Sequence, residues 1–248
     1  MLRLHCRPGK QLRGRVGLSF AVSVIIPTLN EAESISAFLQ ALQPLREAGW
    51  ELILADGGSR DDTVSLAEPR VDKVIVSAPG RAAQMNNGAE SASGEVLLFL
   101  HADTQLPQDA LAQMAAFAVS NADWGRFDVA LSGRRLVFRV VETLINLRSR
   151  ITSIATGDQA IFIRHSVFRQ LGGYARIPLM EDVEICKRLR RLSRPCCISA
   201  KVMTSSRRWE KHGVWKTILL MWRLRFEFWL GVAPEKLFRR YYGRPGNV

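Results

Sequence analysis

The 248-residue sequence is poor in cysteine, with four, and in tyrosine, with three. Cys6, Cys186, Cys196 and Cys197 form no Cys-x-x-Cys pair and have no histidine at zinc-binding spacing. That argues against a disulfide framework or a structural zinc site and favours a reducing, cytoplasmic compartment. No stretch reaches the ~18 uncharged apolar residues of a spanning helix, so the chain is not expected to cross a bilayer. The first 20 residues are basic but broken by Pro8, Gly9, Gly14 and Gly17, and they lack the apolar run of a signal peptide. They read as a basic tail. Neither Gly-x-Gly-x-x-Gly nor a P-loop occurs, which leaves out the dinucleotide and NTPase fingerprints. There is no internal repeat and no low-complexity linker.

What is present is a chain able to bury a core: 47% of residues are apolar and 23% charged. The net charge of +12 invites a nucleic-acid reading, but its distribution argues otherwise. Residues 21–125 hold 14 acidic against 5 basic residues, and residues 126–248 hold 25 basic against 9 acidic. An acidic module is joined to a basic one.

From Val22 the pattern alternates strand and helix. VSVIIP (22–27), WELILAD (50–56), KVIVSA (73–78) and EVLLFLHAD (95–103) are short apolar strands. Helical periodicity lies between them, first over Ile35, Phe38, Leu39 and Leu42 with Asn30 as cap, then over 61–68 and 81–92. Beyond residue 106 come a helix (107–120), a strand (123–131), a helix (134–153), the strand DQAIFIR (158–164), helices at 166–171 and 181–191, and a strand (196–205). This alternation predicts an α/β fold, a Rossmann-like, mainly parallel sheet covered by helices, with ligands at the carboxyl ends of its strands.

Polar residues cluster at those ends. Asp56-Gly57-Gly58-Ser59 follows a strand with a carboxylate and two glycines that permit close backbone approach, which suits a nucleoside and equally suits a plain strand-to-helix turn. His101-Ala102-Asp103 ends another strand; alone, Asp103 reads as a cap for a helix near Pro107, or as a ligand for Mg2+ or Mn2+ on a diphosphate. Glu181-Asp182 alone reads as acids on the first turn of a helix.

Taken in order, VSVIIPTLNEAESI, ADGGSRDDT, GRAAQMNNGAESASGEVLLFLHADT, GDQAIF, GGY, LMEDVEI and RRW resemble the family 2 glycosyltransferases with the A-type fold, over residues 22–209. They are most similar to a small bacterial subgroup with His-Ala-Asp in place of Asp-x-Asp. The resemblance implies that Pro27, Thr28, Asn30, Glu31, Asp56, Gly57 and Gly58 hold the nucleoside of a nucleotide-sugar, with UDP as the expected nucleotide. It implies that Arg81, Gln84 and Asn87 flank the sugar nucleotide and that His101, Ala102 and Asp103 form the diphosphate and metal corner. Asp103 is the implied ligand of a divalent Mn2+ or Mg2+, and His101 leaves one fewer negative charge there. Glu181-Asp182 matches the family's Glu-Asp pair, in which the Asp resembles the general base of an inverting transfer to an acceptor hydroxyl. Arg207-Arg208-Trp209 resembles the end of Gln-x-x-Arg-Trp with Ser205 in the Gln position, a departure that points to single transfer rather than polymer synthesis. Arg208 is the implied diphosphate contact. Gly157, Asp158, Gln159 and Trp209 fall on the implied acceptor side.

The expected organisation is a basic tail (1–20), a catalytic domain (21–209) with a donor half (21–105) and an acceptor half (106–209), and a C-terminal helical extension (210–248). In VWKTILLMWRLRFEFWL (214–230), Trp215, Ile218, Trp222, Phe226 and Trp229 share one helical stripe, with Lys216, Arg223 and Glu227 opposite. Such a helix either packs on the core or lies in a bilayer interface. In 134–153, Arg135, Arg139, Glu142, Asn146 and Arg150 line one side, which reads as a solvated face. The basic half suggests peripheral contact with the anionic inner face of the cytoplasmic membrane and a lipid-linked acceptor. Three other readings compete. A sugar-phosphate nucleotidyltransferase needs a Gly-rich, Lys-containing loop that PTLNEAES lacks; a nucleic-acid module is opposed by the acidic half and the strand-end carboxylates; and an inactive sugar-nucleotide-binding relative fits the His101 and Ser205 departures.

Overall fold

A computed structural model describes residues 21–243. The basic tail with Cys6 and the last five residues lie outside the described residues. One eight-stranded sheet runs through both charge halves. Its strands are β1 (Val22–Thr28), β2 (Glu51–Asp56), β3 (Lys73–Val76), β4 (Val96–Phe99), β5 (Thr104–Gln105), β6 (Trp124–Leu131), β7 (Phe162–Arg164) and β8 (Cys196–Thr204). They lie in the order β3-β2-β1-β4-β7-β6-β8-β5. The first four are mutually parallel, as are β6 and β8; β7 runs antiparallel between β4 and β6, and β5 antiparallel on β8.

The helices are α1 (Ala32–Glu47), α2 (Thr63–Ala67), α3 (Arg81–Ser91), α4 (Ala110–Ala118), α5 (Leu136–Thr152), α6 (His165–Gln170), α7 (Glu181–Leu192), α8 (Arg207–His212), α9 (Val214–Trp229) and α10 (Pro234–Tyr242). Strand alternation divides the core between the sheet faces. Val24, Ile26, Leu52 and Leu54 pack with Ile35, Phe38, Leu39 and Leu42 of α1. Ile25, Ala55, Leu97 and Phe99 pack with Ala82, Met85 and Ala89 of α3 and Ile185 and Leu189 of α7.

Four expectations about the elements within residues 21–209 are corrected. The single strand expected over 95–103 stops at Phe99; a turn carries His101 to Asp103, and Thr104–Gln105 leaves as β5 to pair with β8. The strand expected over 158–164 begins as a 3-10 turn (Gly157–Gln159), and only Phe162–Arg164 is extended. Asn30 does not cap α1: Glu31 holds the cap position, and Asn30 instead takes a positive φ of 54° and accepts a hydrogen bond at Oδ1 from the Arg60 amide.

The fourth correction concerns α5: Arg135, Arg139 and Arg150 of the face expected in solvent are exposed, but Glu142 and Asn146 of that face turn inward. Glu142 and Asn146 are buried, whereas Leu136, Val140, Leu144, Leu147 and Ile151 are exposed, from 51% up to 85%. The cause is β6. β7 pairs with only Trp124 and Gly125, so the rest of that edge has no strand beside it. The polar face of α5 takes the place of one. The Val129 amide donates to Asn146 Oδ1 (2.9 Å), the Asn146 side chain donates to the Val129 carbonyl (3.0 Å), and the Leu131 amide donates to Glu142 Oε1 (2.6 Å). Arg126, buried beside Asp128, and Arg150, 2.6 Å from Asp128, extend the network. Buried backbone groups without partners cost more than these polar side chains lose on burial.

On α9, Val214, Thr217 and Leu224 are buried and Ile218 packs beside Leu131, Phe138 and Val141, while Trp215, Leu219, Trp222, Phe226 and Trp229 are exposed. Ile218 therefore leaves the expected stripe, and Leu219 joins it. The helix packs on the core and also presents an aromatic face. No helix among the described residues is long and apolar enough to cross a membrane. Asn146→Leu is expected to cost about 2–4 kcal/mol in urea unfolding, because two buried backbone groups lose partners. Val140→Gln, one stripe over on the same helix, should stay within about 0.5 kcal/mol.

Candidate active site

The carboxyl ends of β1 and β2 carry two loops that hydrogen-bond each other. The Asn30 amide donates to Ser59 Oγ (2.9 Å), the Glu31 amide to Thr63 Oγ1 (2.7 Å) and the Ala32 amide to Asp61 Oδ2 (3.1 Å). Asp56 is buried and accepts from the amides of Gly58 and Ser59 at 2.8 Å and from Ser59 Oγ at 2.5 Å. Gly58 takes a φ of +89°, which glycine adopts without strain, and so turns the loop back over this carboxylate. Pro27 and Thr28 are buried at the end of β1. Gln84 is buried too, and its amide nitrogen donates to the carbonyls of Thr28 (2.5 Å) and Ala55 (3.0 Å). It holds the two strand ends together, and Gly57 leaves the space it needs, since a Cβ there would lie 2.9 Å from Gln84 Nε2. Asn87, one turn further along α3, is half-buried.

A cavity of about 710 Å³ opens at the N-terminus of α3, where Arg81 lines it; none of the residues of these two loops, nor Gln84 or Asn87, does. Eight of the candidate site residues line it: Arg81, His101, Asp103, Gly157, Asp158, Glu181, Asp182 and Trp209. Asp103 arrives on the turn after β4 and is exposed at the cavity edge, with Thr104 Oγ1 donating to its Oδ1 (3.2 Å). Thr104 also meets Thr204 across the β5–β8 pair (3.2 Å), which fixes this corner against the end of β8.

Asp182 comes from the first turn of α7. Its Oδ2 accepts from the Gly157 amide (3.0 Å) and its Oδ1 from the Val183 amide (2.7 Å). The residue before the helix, Met180, sits at a φ of 71°, an unusual conformation for a non-glycine residue that turns the Glu181-Asp182 pair into the cavity. Burial raises the pKa of both carboxyls; the Asp182 charge pushes Glu181 further up, to about 7, and the Asp158 charge pushes Asp182 up. Arg81 keeps solvent-accessible surface although protein surrounds it, as expected of a side chain on a cleft wall. Burial opposes its charge, yet the nearby tyrosines of α10 together with Glu181 and Asp182 outweigh that and hold it protonated.

His101 is pushed down to about 3, chiefly by burial and then by Arg81, so its imidazole is neutral. Its Nε2 lies against Gly157, where any Cβ would collide with the ring. Gln159 does not face the cavity: it is buried, donating to Ser149 Oγ (3.1 Å) and closing a capping box with Thr156. Ala102 is buried in the core. The Arg208 side chain lies outside the described residues, and Arg207 lines the cavity instead.

Several lining residues went unnoticed in the sequence. Arg148 of α5, Arg225 of α9, Thr156, Met180 and Tyr241 of α10 all border the cavity, with an apolar wall that includes Leu144, Leu147, Ile151, Met221 and Trp222. The C-terminal helices close over the carboxylates through a cluster of Leu179, Met180, Val183, Leu224 and Leu237.

The sheet, the loops at its carboxyl edge and the carboxylates of the cavity define an A-type nucleotide-dependent transferase fold. The chain belongs to the glycosyl transferase family 2, whose model matches residues 23–171. It is 33% identical over 162 residues to a PGL/p-HBAD biosynthesis glycosyltransferase of Mycobacterium bovis, covering 61% of this chain and 62% of that protein. It is 32% identical over 161 residues to the undecaprenyl-phosphate 4-deoxy-4-formamido-L-arabinose transferase of Salmonella choleraesuis, covering 58% of this chain and 47% of that one. The matches thus span about half to three fifths of these relatives' lengths. In fold it is similar to S. aureus TarS 1-349 in complex with UDP (TM-score 0.60, 21% identity, 75% of this chain and 60% of that one). It is also similar to Mycobacterium tuberculosis glucosyl-3-phosphoglycerate synthase with Mn2+, UDP and glucosyl-3-phosphoglycerate (TM-score 0.56, 18% identity, 75% and 71% coverage).

Gly157→Ala is expected to lower stability by about 1–3 kcal/mol through overpacking against His101. In thermal unfolding the double variant with His101→Ala should recover most of that loss. A double variant no more stable than Gly157→Ala would show that the two residues do not constrain each other.

Proposed function

We propose that residues 21–209 form the catalytic domain of an inverting glycosyltransferase, with residues 21–105 holding a UDP-sugar, residues 106–209 the acceptor and residues 210–248 a helical extension. The observation that carries this reading is that Asp103, from the turn after β4, and Asp182, from the first turn of α7, line one cavity. The uracil and ribose lie on the loops of Asn30, Glu31 and Asp56, and Arg81 reaches the diphosphate from the N-terminus of α3. The Mn2+ and Mg2+ in structurally similar transferases support a divalent metal here. The donor set fits one. Among the described residues no group of three or more His, Cys, Asp or Glu forms a closed metal cage, but an accessible carboxylate at Asp103 suits a hard cation that takes its remaining oxygens from diphosphate and water. Such an ion supplies charge stabilisation for the leaving diphosphate.

Asp182 takes the proton of the acceptor hydroxyl as that oxygen attacks the anomeric carbon, on the face opposite the breaking bond to the diphosphate. The products are the glycoside of inverted configuration and UDP. The Gly157 and Val183 amides aim the carboxylate, and the charges of Arg225 and Asp158 tune it in opposite directions. The acceptor is lipid-linked: the apolar cavity wall and the Salmonella relative, named for an undecaprenyl-phosphate acceptor, support this. The basic half supports peripheral placement on the inner face of the cytoplasmic membrane.

Screening nucleotide-sugars by thermal shift and slow donor hydrolysis in Mn2+ or Mg2+ should single out UDP-sugars. Asp182→Asn should keep UDP binding and lower transfer by about 10²–10⁴-fold. Normal turnover in that variant would remove Asp182 as the base. Asp103→Ala should weaken UDP binding in Mn2+ and leave weak metal-free binding unchanged. Because both carboxyls hold protons above the ordinary carboxylate range, the base form of Asp182 appears only as pH rises through that raised pKa, and kcat falls on the acid side. Asp158→Asn removes the charge that raises Asp182 and should move this acid limb to lower pH.

A further inference from the structure

Arg148 and Arg225 stand on the cavity wall with no assigned partner. Arg148 projects from α5, and its Nε and Nη2 atoms are buried without a hydrogen-bond acceptor. Arg225 comes from α9, and among the described residues neither arginine makes an ion pair. Burial lowers the Arg148 pKa to about 10 and Arg225 adds repulsion, while Asp158 and Asp182 compensate only in part. Two guanidinium groups in a shared recess, one with unmatched donors, are costly for the fold alone. Their planar forks match a phosphate or carboxylate.

The surroundings are apolar. Leu144, Leu147 and Ile151 of α5 and Trp222 of α9 line the cavity and also belong to the exposed stripes of their helices. These four side chains therefore belong both to the cavity wall and to the protein surface.

We propose that Arg148 and Arg225 form an oxyanion subsite for the acceptor, which is an amphiphile with its phosphate or carboxylate on this pair and its apolar part between α5 and α9. This rests on the cavity being the transfer site. The attacking hydroxyl and the oxyanion are then separate groups of one acceptor, the first at Asp182 and the second at the arginines. The donor's diphosphate is the other possible source of the same chemistry. Position favours the acceptor, because both arginines lie on helices of the basic half, whereas the diphosphate corner at Asp103 is built from the turn after β4.

The test uses the full chain and monomeric octyl phosphate, with inorganic phosphate, octyl glucoside and UDP with Mn2+ as separate arms, read by calorimetry and by the fluorescence of Trp222 and its neighbours. Octyl phosphate should bind more tightly than either inorganic phosphate or octyl glucoside. Arg148→Met and Arg225→Gln should each weaken it at least tenfold and leave UDP affinity unchanged. Arg148→Met should also raise the Tm of the ligand-free protein, since it removes unmatched buried donors, so lost binding cannot be attributed to lost folding. The proposal is overturned if octyl glucoside binds as well as octyl phosphate, if the variants bind octyl phosphate normally, or if UDP affinity falls in step, which would assign the pair to the donor. Failure of the wild-type protein to bind UDP at all would contradict the nucleotide-sugar reading instead.

Discussion

The structure depends on the hydrogen bonds between the polar face of α5 and the open edge of β6. Asn146 and Glu142 occupy backbone groups of β6 that would otherwise be buried and unpaired. The same helix face continues to Ser149, which accepts from Gln159 and so fixes the turn carrying Gly157. Gly157 in turn donates to Asp182 and lies under His101. A backbone requirement of one strand is thereby passed through three side chains to the proposed base and to His101. Turning its polar side inward also forces α5 to expose an apolar stripe, and that stripe reaches the cavity mouth.

Charge explains why this cavity is a place for chemistry rather than for packing. The acidic half brings Asp103, the basic half brings Arg148 and Arg225, and Glu181-Asp182 lies between Arg81 and Arg225 in electrostatic terms. Burial works against ionisation of the carboxyl pair and of Arg148. Such groups destabilise an empty site and are offset elsewhere, here by the two large apolar clusters on the sheet faces. The C-terminal helices contribute to both purposes, packing Leu224 and Leu237 over the start of α7 while presenting Trp215, Trp222 and Trp229 outward.

The parallel half of the sheet was legible because strands buried on both faces read as uninterrupted apolar runs ended by polar turns. The α5 face was not, since helical periodicity reports two faces without saying which one is buried; in this helix the sheet edge needed polar partners. The trace left in the sequence is chemical: Asn146 and Ser149 are short and suited to local hydrogen bonding, where a solvated face tends to carry lysine or glutamate. Asp103 and Asp182 could be found from ordered motifs, whereas Gln84 and Gln159, named for ligand contact, turn their amides to the backbone and to Ser149. Arg148 and Arg225 escaped notice because an arginine on a helix of a strongly basic half looks solvated until burial is known.

The central claim is that a nucleoside diphosphate and its metal occupy the corner between Asp56 and Asp103, in the cavity that Asp182 also lines. Anomalous diffraction at the manganese edge from crystals grown with UDP and Mn2+ tests it most directly. The account predicts one manganese peak within coordination distance of Asp103, with the uracil against Asp56 and the terminal phosphate turned toward Asp182. A manganese peak away from Asp103, or UDP lodged between α5 and α9, would contradict it.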